Sequence, residues 1–444
     1  MTTRMHASPS DRLASRIMIG LLVGIALGLA TRQLIHLVPG VEPRALWLVT
    51  QVFDPFGQIF QRLLFFVVVP LVFGSLALGV VQLGRLNQLG PLAARTFSLF
   101  ILNMVVGVAL GLVFMNLVRP GADIGPEMRE QMIAEESGSV QKLGETAAAQ
   151  RERGFTFSTA VDMFMPRNLL GAVVGNDVTR IGDVLPLIVF ALLVGAAGTT
   201  LPEDRRHGLQ RGLETLNELM TRIVRWALLL APYAVAALLS SAIVKFGADF
   251  LQKLLVFAVG LLLVMALHLF GTMSVLLKVF TRRRLRDFYG AVRVILITAF
   301  STSSSAATLP TSIQVARERL GVSASTAGFV LPLGATMNMS GTALYEGCVV
   351  LFIAQVFGVE LTLVQQGTLL LLAVISAVAV AAIPGGSLPL IMGLLATFGV
   401  PPEGIALVLG IDRILDMART AVNVGADVAT ACIVDASTRQ GPAP

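Results

Sequence analysis

Apolar residues run through most of this chain in stretches long enough to cross a bilayer, at 17–37, 55–83, 92–117, 223–244 and 254–280. Roughly 20 such residues span a hydrocarbon core, so each stretch predicts a membrane helix, the second with Pro70 as a kink. Their connections alternate in character. Arg85 and Arg95, then Arg205, Arg206 and Arg211 in a charged loop over 202–212, then the basic run 281–286, mark one side as cytoplasmic. The stretch 119–153 is hydrophilic, richer in acid than base and without apolar periodicity, which predicts a partly disordered external loop. Pro166, Asn168, Gly175, Asn176 and Pro186 break 155–201 into short segments. The polar N-terminal stretch carries no cleavage signal, so the first span is read as retained, with the N-terminus inside.

From Phe288 onward the pattern changes. Apolar stretches are interrupted mid-way by Ser301–Ser305, by Gly334–Gly341 and by Pro384–Ser387. The resulting halves, about 12–17 residues each, are too short to cross the core and predict re-entrant hairpins or half-helices. Irregular backbone at membrane depth survives only where it is buried in protein or lines a cavity. The order repeats: a hairpin with a small polar tip, an interrupted polar helix, then both again. Such a repeat points to a midplane binding site. Beside these breaks, 410–435 has helical periodicity, yet Asp412, Asp416, Arg419, Thr420, Asn423 and Asp427 recur three or four apart and share one face. Charged groups there cost about 2.5–3.5 kcal/mol each at a bilayer centre, so they must be paired, solvated or liganded.

Composition narrows the classes. With 55% hydrophobic and 14% charged residues, the chain is a polytopic membrane protein. Cys348 and Cys432 lie in apolar segments and the four histidines are scattered, which argues against disulfides and against a Cys or His metal centre. The net charge of +6 reflects loop arginines and orientation; no nucleic-acid partner is implied. A serine hydrolase built on 301–305 lacks a base, since the C-terminal half offers only His268, remote from any motif. An ion channel would need no pair such as Asp416 and Arg419, which suits a zwitterion.

Four motifs carry a family resemblance: AFSTSSSAATLP at 299–310, LPLGATMNMSGTALYEG at 331–347, IPGGS at 383–387 and IDRILDMARTAVNVGAD at 411–427. In order and spacing they resemble the dicarboxylate/amino acid:cation symporter family of glutamate and aspartate transporters. The resemblance covers most of the chain, excepting the N-terminal tail and the external loop. It implies an all-α polytopic membrane protein of eight transmembrane helices and two re-entrant helical hairpins with inverted repeats, working as an elevator and assembled as a homotrimer in the bacterial inner membrane. Helices 1–2 (17–90) and 4–5 (154–246) would form a fixed scaffold. Helix 3 (91–118), helix 6 (247–283), hairpin 1 (284–318), helix 7 (323–357), hairpin 2 (361–399) and helix 8 (402–436) would form the moving transport domain. Tails at 1–16 and 437–444 and the loop 119–153 complete the division.

The resemblance also assigns roles. Arg419 would take the substrate's side-chain carboxylate, for which a planar guanidinium is suited. Asp416 would take its α-amino group, favouring aspartate or glutamate over plain dicarboxylates. Ser303, Ser305, Thr342, Thr420 and Asn423 would supply further hydrogen bonds, with Ile383, Gly386 and Ser387 at the tip of the second hairpin, the external gate. For Thr342 and Thr420 the alternative is a bond to their own helix backbone. Asp427, Asn423, Asn338 and the Gly334 carbonyl match one sodium site; Thr336 and the backbone entering the second hairpin match another. No cofactor is implied beyond the transported Na+ or H+.

Departures from the family pattern bear on coupling. Ser340 stands where the family has an acid, and Phe100, Asn103 and Met104 replace the polar residues of a third sodium site, so that site is expected to be lost. Glu346 sits where proton-coupled relatives carry an acid and would carry a proton here. Neither Ser303 nor Met417 supplies the second arginine of other relatives. The expected activity is import of L-aspartate or L-glutamate with Na+, H+ or both, with succinate, malate, fumarate or a neutral amino acid as the alternative cargo.

Overall fold

A computed structural model describes residues 9–86, 90–122, 168, 184–379 and 387–439. The N-terminal residues 1–8, most of the external loop and the broken segment after it, the second-hairpin tip with Ile383 and Gly386, and 440–444 lie outside the described residues. Every regular element among the described residues is helical. In chain order they are α1 (Pro9–Leu37), α2 (Glu42–Leu48), a π-turn Val49–Phe53, α3 (Asp54–Leu86), α4 (Gly90–Val118), α5 (Val184–Thr199) and α6 (Glu203–Phe246). There follow α7 (Ala248–Ala266), a π-turn Leu267–Thr272, α8 (Met273–Phe280), α9 (Leu285–Thr302), α10 (Ser305–Glu318), α11 (Ala324–Met337) and α12 (Ser340–Val356). The chain ends with α13 (Leu363–Ala379), α14 (Leu388–Thr397), a 3-10 turn Pro402–Ile405 and α15 (Ala406–Arg439). Several are long and apolar enough to cross a membrane, among them 15–37, 92–118 and 251–280, so the chain is a multi-pass helical membrane protein.

The helices pack in two groups. In the first, α1 lies along α6, α6 along α3 and α3 along α5. Gly20, Gly24 and Gly28 stand one turn apart on α1, and a Cβ on Gly20 would lie 2.1 Å from the Pro232 carbonyl oxygen of α6. Lipid offers no hydrophobic drive for helices to associate, so such small-residue stripes let backbones touch and supply the packing instead. In the second group α15 is the axis: α9, α10, α11, α12 and α7 all pack on it, while α4 and α13 cover α12. Every residue of α12 except Gln355 is buried, which fits its apolar character on all sides. The groups meet where α6 crosses α15 and where α3 touches α13 and α14. Large apolar side chains such as Phe66, Trp226, Leu229 and Leu263 face outward, as a lipid-contacting rim requires.

Two of the three predicted mid-span breaks appear where expected; the third, at Pro384–Ser387, lies outside the described residues except for Ser387. Ser303, in the left-handed region at φ 49°, turns the chain between α9 and α10, and Ser304 caps α10 by accepting from the Ala307 N–H at 3.2 Å. Asn338 and Met339 separate α11 from α12.

Three expectations are corrected. The charged loop 202–212 is helical from Glu203, because Pro202 and the acidic first turn start a helix that pairs such as Glu218 with Arg222 at 2.6 Å extend. The polar helix expected to be interrupted is continuous from Ala406 to Arg439; its Gly425 leaves room for Leu269 and breaks nothing. Pro186, expected among the breaks of 155–201, lies in the first turn of α5, where a proline is tolerated.

Candidate functional site

The site is built on α15 where the broken helices converge. Asp412, Arg413, Asp416 and Arg419 are all buried, with Asp416 four residues after Asp412 and three from each arginine. Arg419 donates from Nε and Nη2 to Asp416 Oδ1, at 2.9 and 2.6 Å, and from Nη1 to the Ser387 hydroxyl at the start of α14. Its guanidinium lies over the Tyr345 ring, 4.7 Å from the centroid. Tyr345 in turn donates its hydroxyl to Asp412 at 2.5 Å. Arg413 donates from Nη1 to the other Asp416 oxygen at 3.3 Å. Two acids and two arginines are thus stacked over two turns of one helix, and their formal charges cancel. Buried charges are tolerable only under such pairing.

One turn further along, amides take over. Asn423 accepts from the Gly341 and Thr342 N–H groups at 2.7 and 3.2 Å and donates to the Thr342 hydroxyl at 3.0 Å. These bonds hold the first turn of α12, whose N–H groups have no helical partner, against α15. Asn338, in the break between α11 and α12, donates to Asp427 Oδ1 at 2.9 Å, while its own Oδ1 has no hydrogen-bond partner. Gly334 lies so close that a Cβ there would be 2.5 Å from Asp427 Oδ1. Asp427 and Asn338 are buried. A buried carboxylate beside an unfilled amide oxygen and the end of a broken helix is a set of hard oxygen donors, the kind sodium takes.

The predicted residues are not all joined. Asp416, Arg419 and Ser387 form one cluster, and Asn338, Gly334, Asn423, Thr342 and Asp427 the next. Thr420 returns its hydroxyl to the Asp416 carbonyl at 2.7 Å, a bond within its own helix. Ser303 and Ser305 sit buried at the first hairpin tip, whose arms pack on α15, and the Ser303 hydroxyl has no partner among the described residues. Thr336 is exposed and bonded to the Leu333 carbonyl at 2.9 Å, outside both clusters, and the second-hairpin backbone expected beside it lies outside the described residues. Ile383 and Gly386 are likewise outside them. Glu346 is fully buried on α12, and the buried Ser376 hydroxyl of α13, which packs there, is placed to hydrogen-bond its carboxyl group.

Sequence reasoning missed Arg413 and Tyr345, and it set His268 aside. Arg413 lies three residues before Asp416, a spacing that placed it within reach. Tyr345 lies inside a quoted motif, but nothing in its surroundings announces a bond to Asp412. His268 sits in the π-turn between α7 and α8 with both ring nitrogens unpartnered, beside Gly107 and Ser340.

Comparison with known proteins agrees with this architecture. A family model described as the sodium:dicarboxylate symporter family matches residues 13–437. The proton/sodium-glutamate symport protein of Bacillus caldotenax is 31% identical over 415 residues, 93% of this chain and 91% of that protein. The proton/glutamate-aspartate symporter of Escherichia coli K12 is also 31% identical over 415 residues, 93% and 90% respectively. A more distant relative, the C4-dicarboxylate transport protein of Bacillus subtilis, is 26% identical over 378 residues, 85% of each. A motif set running from the first hairpin to the last helix and a family match over almost the whole length agree: this chain belongs to the sodium:dicarboxylate symporter family and is a transporter, not an enzyme.

Proposed function

We propose that this chain is a secondary active symporter importing L-aspartate and L-glutamate, coupled to Na+, H+ or both. The observation that carries the reading is the Asp416–Arg419 pair, buried on α15 and held to the second hairpin by Ser387. In the absence of substrate these side chains satisfy each other; an acidic amino acid replaces both halves, its side-chain carboxylate on Arg419 and its ammonium on Asp416. Ser303, Ser305, Thr342, Thr420, Asn423 and the tip at Ile383 and Gly386 complete the substrate shell. Asn338, Gly334, Asn423 and Asp427 hold a sodium ion, with the main chain at Thr336, and not its hydroxyl, at a second site, and Glu346 carries the proton. The first helix group is the scaffold of a homotrimer in the bacterial inner membrane, and the α15 group is the part that travels. The glutamate and glutamate-aspartate activities of the relatives at 31% identity support this cargo.

The test is uptake of radiolabelled L-aspartate into proteoliposomes under separate sodium and pH gradients, with L-glutamate and succinate as competitors. Uptake driven by either gradient and competed by glutamate is the expected result. Absence of aspartate uptake under every gradient overturns it. A second cargo, a C4-dicarboxylate, is favoured by one observation: Asp416 already has a second cation, Arg413, on its free oxygen.

A further inference from the structure

Arg413 is placed oddly for a structural residue. It is 6% exposed, and among the described residues its Nε has no hydrogen-bond partner and its one ion pair is the 3.3 Å contact with Asp416 Oδ2. It borders a cavity of about 30 Å³ walled by Ile17, Phe60 and Leu228 of the first helix group and by Leu388 of α14. That volume holds about one water molecule. A guanidinium carries five N–H donors, and this buried one leaves its Nε donor unused among the described residues while Nη1 serves Asp416. Such a group is costly to keep unless its charge matters. Asp416 is the acid it touches.

Resting on the reading that Arg419 takes a substrate carboxylate and Asp416 an α-ammonium, we infer that Arg413 is a specificity-determining residue that lets the site accept C4-dicarboxylates alongside acidic amino acids. When a substrate carboxylate draws Arg419 away, Asp416 loses its partner on Oδ1. In a site without another cation, a ligand lacking the ammonium would leave a bare buried carboxylate. Sites built to bond a ligand group reject the analogue without it by about 10⁴–10⁵-fold for that reason. Here Arg413 stays on Asp416, so the missing ammonium orphans no charge. The reverse also holds: an ammonium must share Asp416 with Arg413, so aspartate gains less from its amino group. The four-residue set Asp412, Arg413, Asp416 and Arg419 is formally neutral; without Arg413 it would hold one excess negative charge, which repels a dianion and attracts an ammonium.

Competition against radiolabelled L-aspartate uptake tests this, with the ratio of half-inhibitory concentrations of succinate and unlabelled L-aspartate as the readout. In the unmodified protein the ratio is expected below about 10³. Arg413→Lys, which keeps the charge, should stay within about threefold of that value, while Arg413→Gln should raise it at least about tenfold in favour of aspartate. A ratio of about 10⁴ or more in the unmodified protein, or an unmoved ratio in a transporting Arg413→Gln, overturns the inference. Should Arg413→Gln fail to fold, the unmodified ratio together with succinate-induced thermal stabilisation of the purified carrier decides, and no stabilisation overturns the inference. Aspartate uptake with an unmoved ratio overturns this inference alone, whereas no aspartate uptake by the unmodified protein overturns the proposed function and this inference with it.

Discussion

Two adjacent stretches of α15 meet the same difficulty in opposite ways. From Asp412 to Arg419, two acids and two arginines cancel each other over two turns, with Tyr345 and Ser387 as further partners. From Asn423 to Asp427 there is one acid, and its hydrogen-bond partner is an amide, Asn338. The first stretch is complete as it stands and can only bind by exchange, a ligand's charges taking the place of the protein's own. The second is incomplete: an amide lowers the cost of a buried carboxylate but does not neutralise it. On the proposed reading a cation enters there and an amino acid or dicarboxylate one turn away, so that coupling between the two ligands is a matter of two neighbouring turns of one helix.

Substitutions that disturb one stretch should therefore leave the other readable. The largest effect is expected from Arg419→Ala, which removes the exchange partner; aspartate binding measured by calorimetry should fall by about 10³-fold or more, at any sodium concentration. Persisting tight binding would mean the cargo does not use this pair. Asp427→Asn should act on the cation side instead, raising the sodium concentration for half-maximal aspartate binding by about a hundredfold while leaving saturating-sodium affinity closer to normal. If both quantities shifted equally, the division of α15 into two stretches would fail. Glu346→Gln should abolish uptake driven by a pH gradient alone and spare sodium-driven uptake, read in proteoliposomes with each gradient imposed separately. Loss of sodium-driven uptake in that variant would make Glu346 structural. The smallest effect is expected from Thr336→Ala, within about twofold for sodium dependence, since its hydroxyl is exposed and bonded to its own helix.

Much of this architecture was legible in the sequence because membrane helices are written in long apolar runs and their interruptions stand out. The turn at Ser303 and the break at Asn338 fall within the small polar stretches that announced them, for irregular backbone at membrane depth needs small or polar residues. What escaped has physical causes too. The start of α6 at Glu203 was hidden because charged residues with good helix propensity look like a loop when only hydropathy is read. The π-turn at Leu267–Thr272 leaves no compositional trace, since one extra residue in a turn changes no periodicity over so short a length. Arg413 was passed over because a helical face drawn from spacing does not say how far a long side chain reaches, and Arg413 bends its head towards Asp416. The bond between Tyr345 and Asp412 joins two helices that only the tertiary packing brings together.

The near-complete burial of α12 has a consequence for how this carrier feels its surroundings. A helix with no lipid neighbours has no hydrophobic length to match, so thinning or thickening the bilayer exerts no direct strain on Ser340–Val356. That strain enters through helices with outward-facing apolar side chains, among them Phe66 of α3, Trp226 of α6 and Leu263 of α7. The helix that carries Glu346 and backs Asn423 is therefore insulated from acyl-chain length, and lipid composition reaches the binding residues only as a shift of the helices wrapped around them.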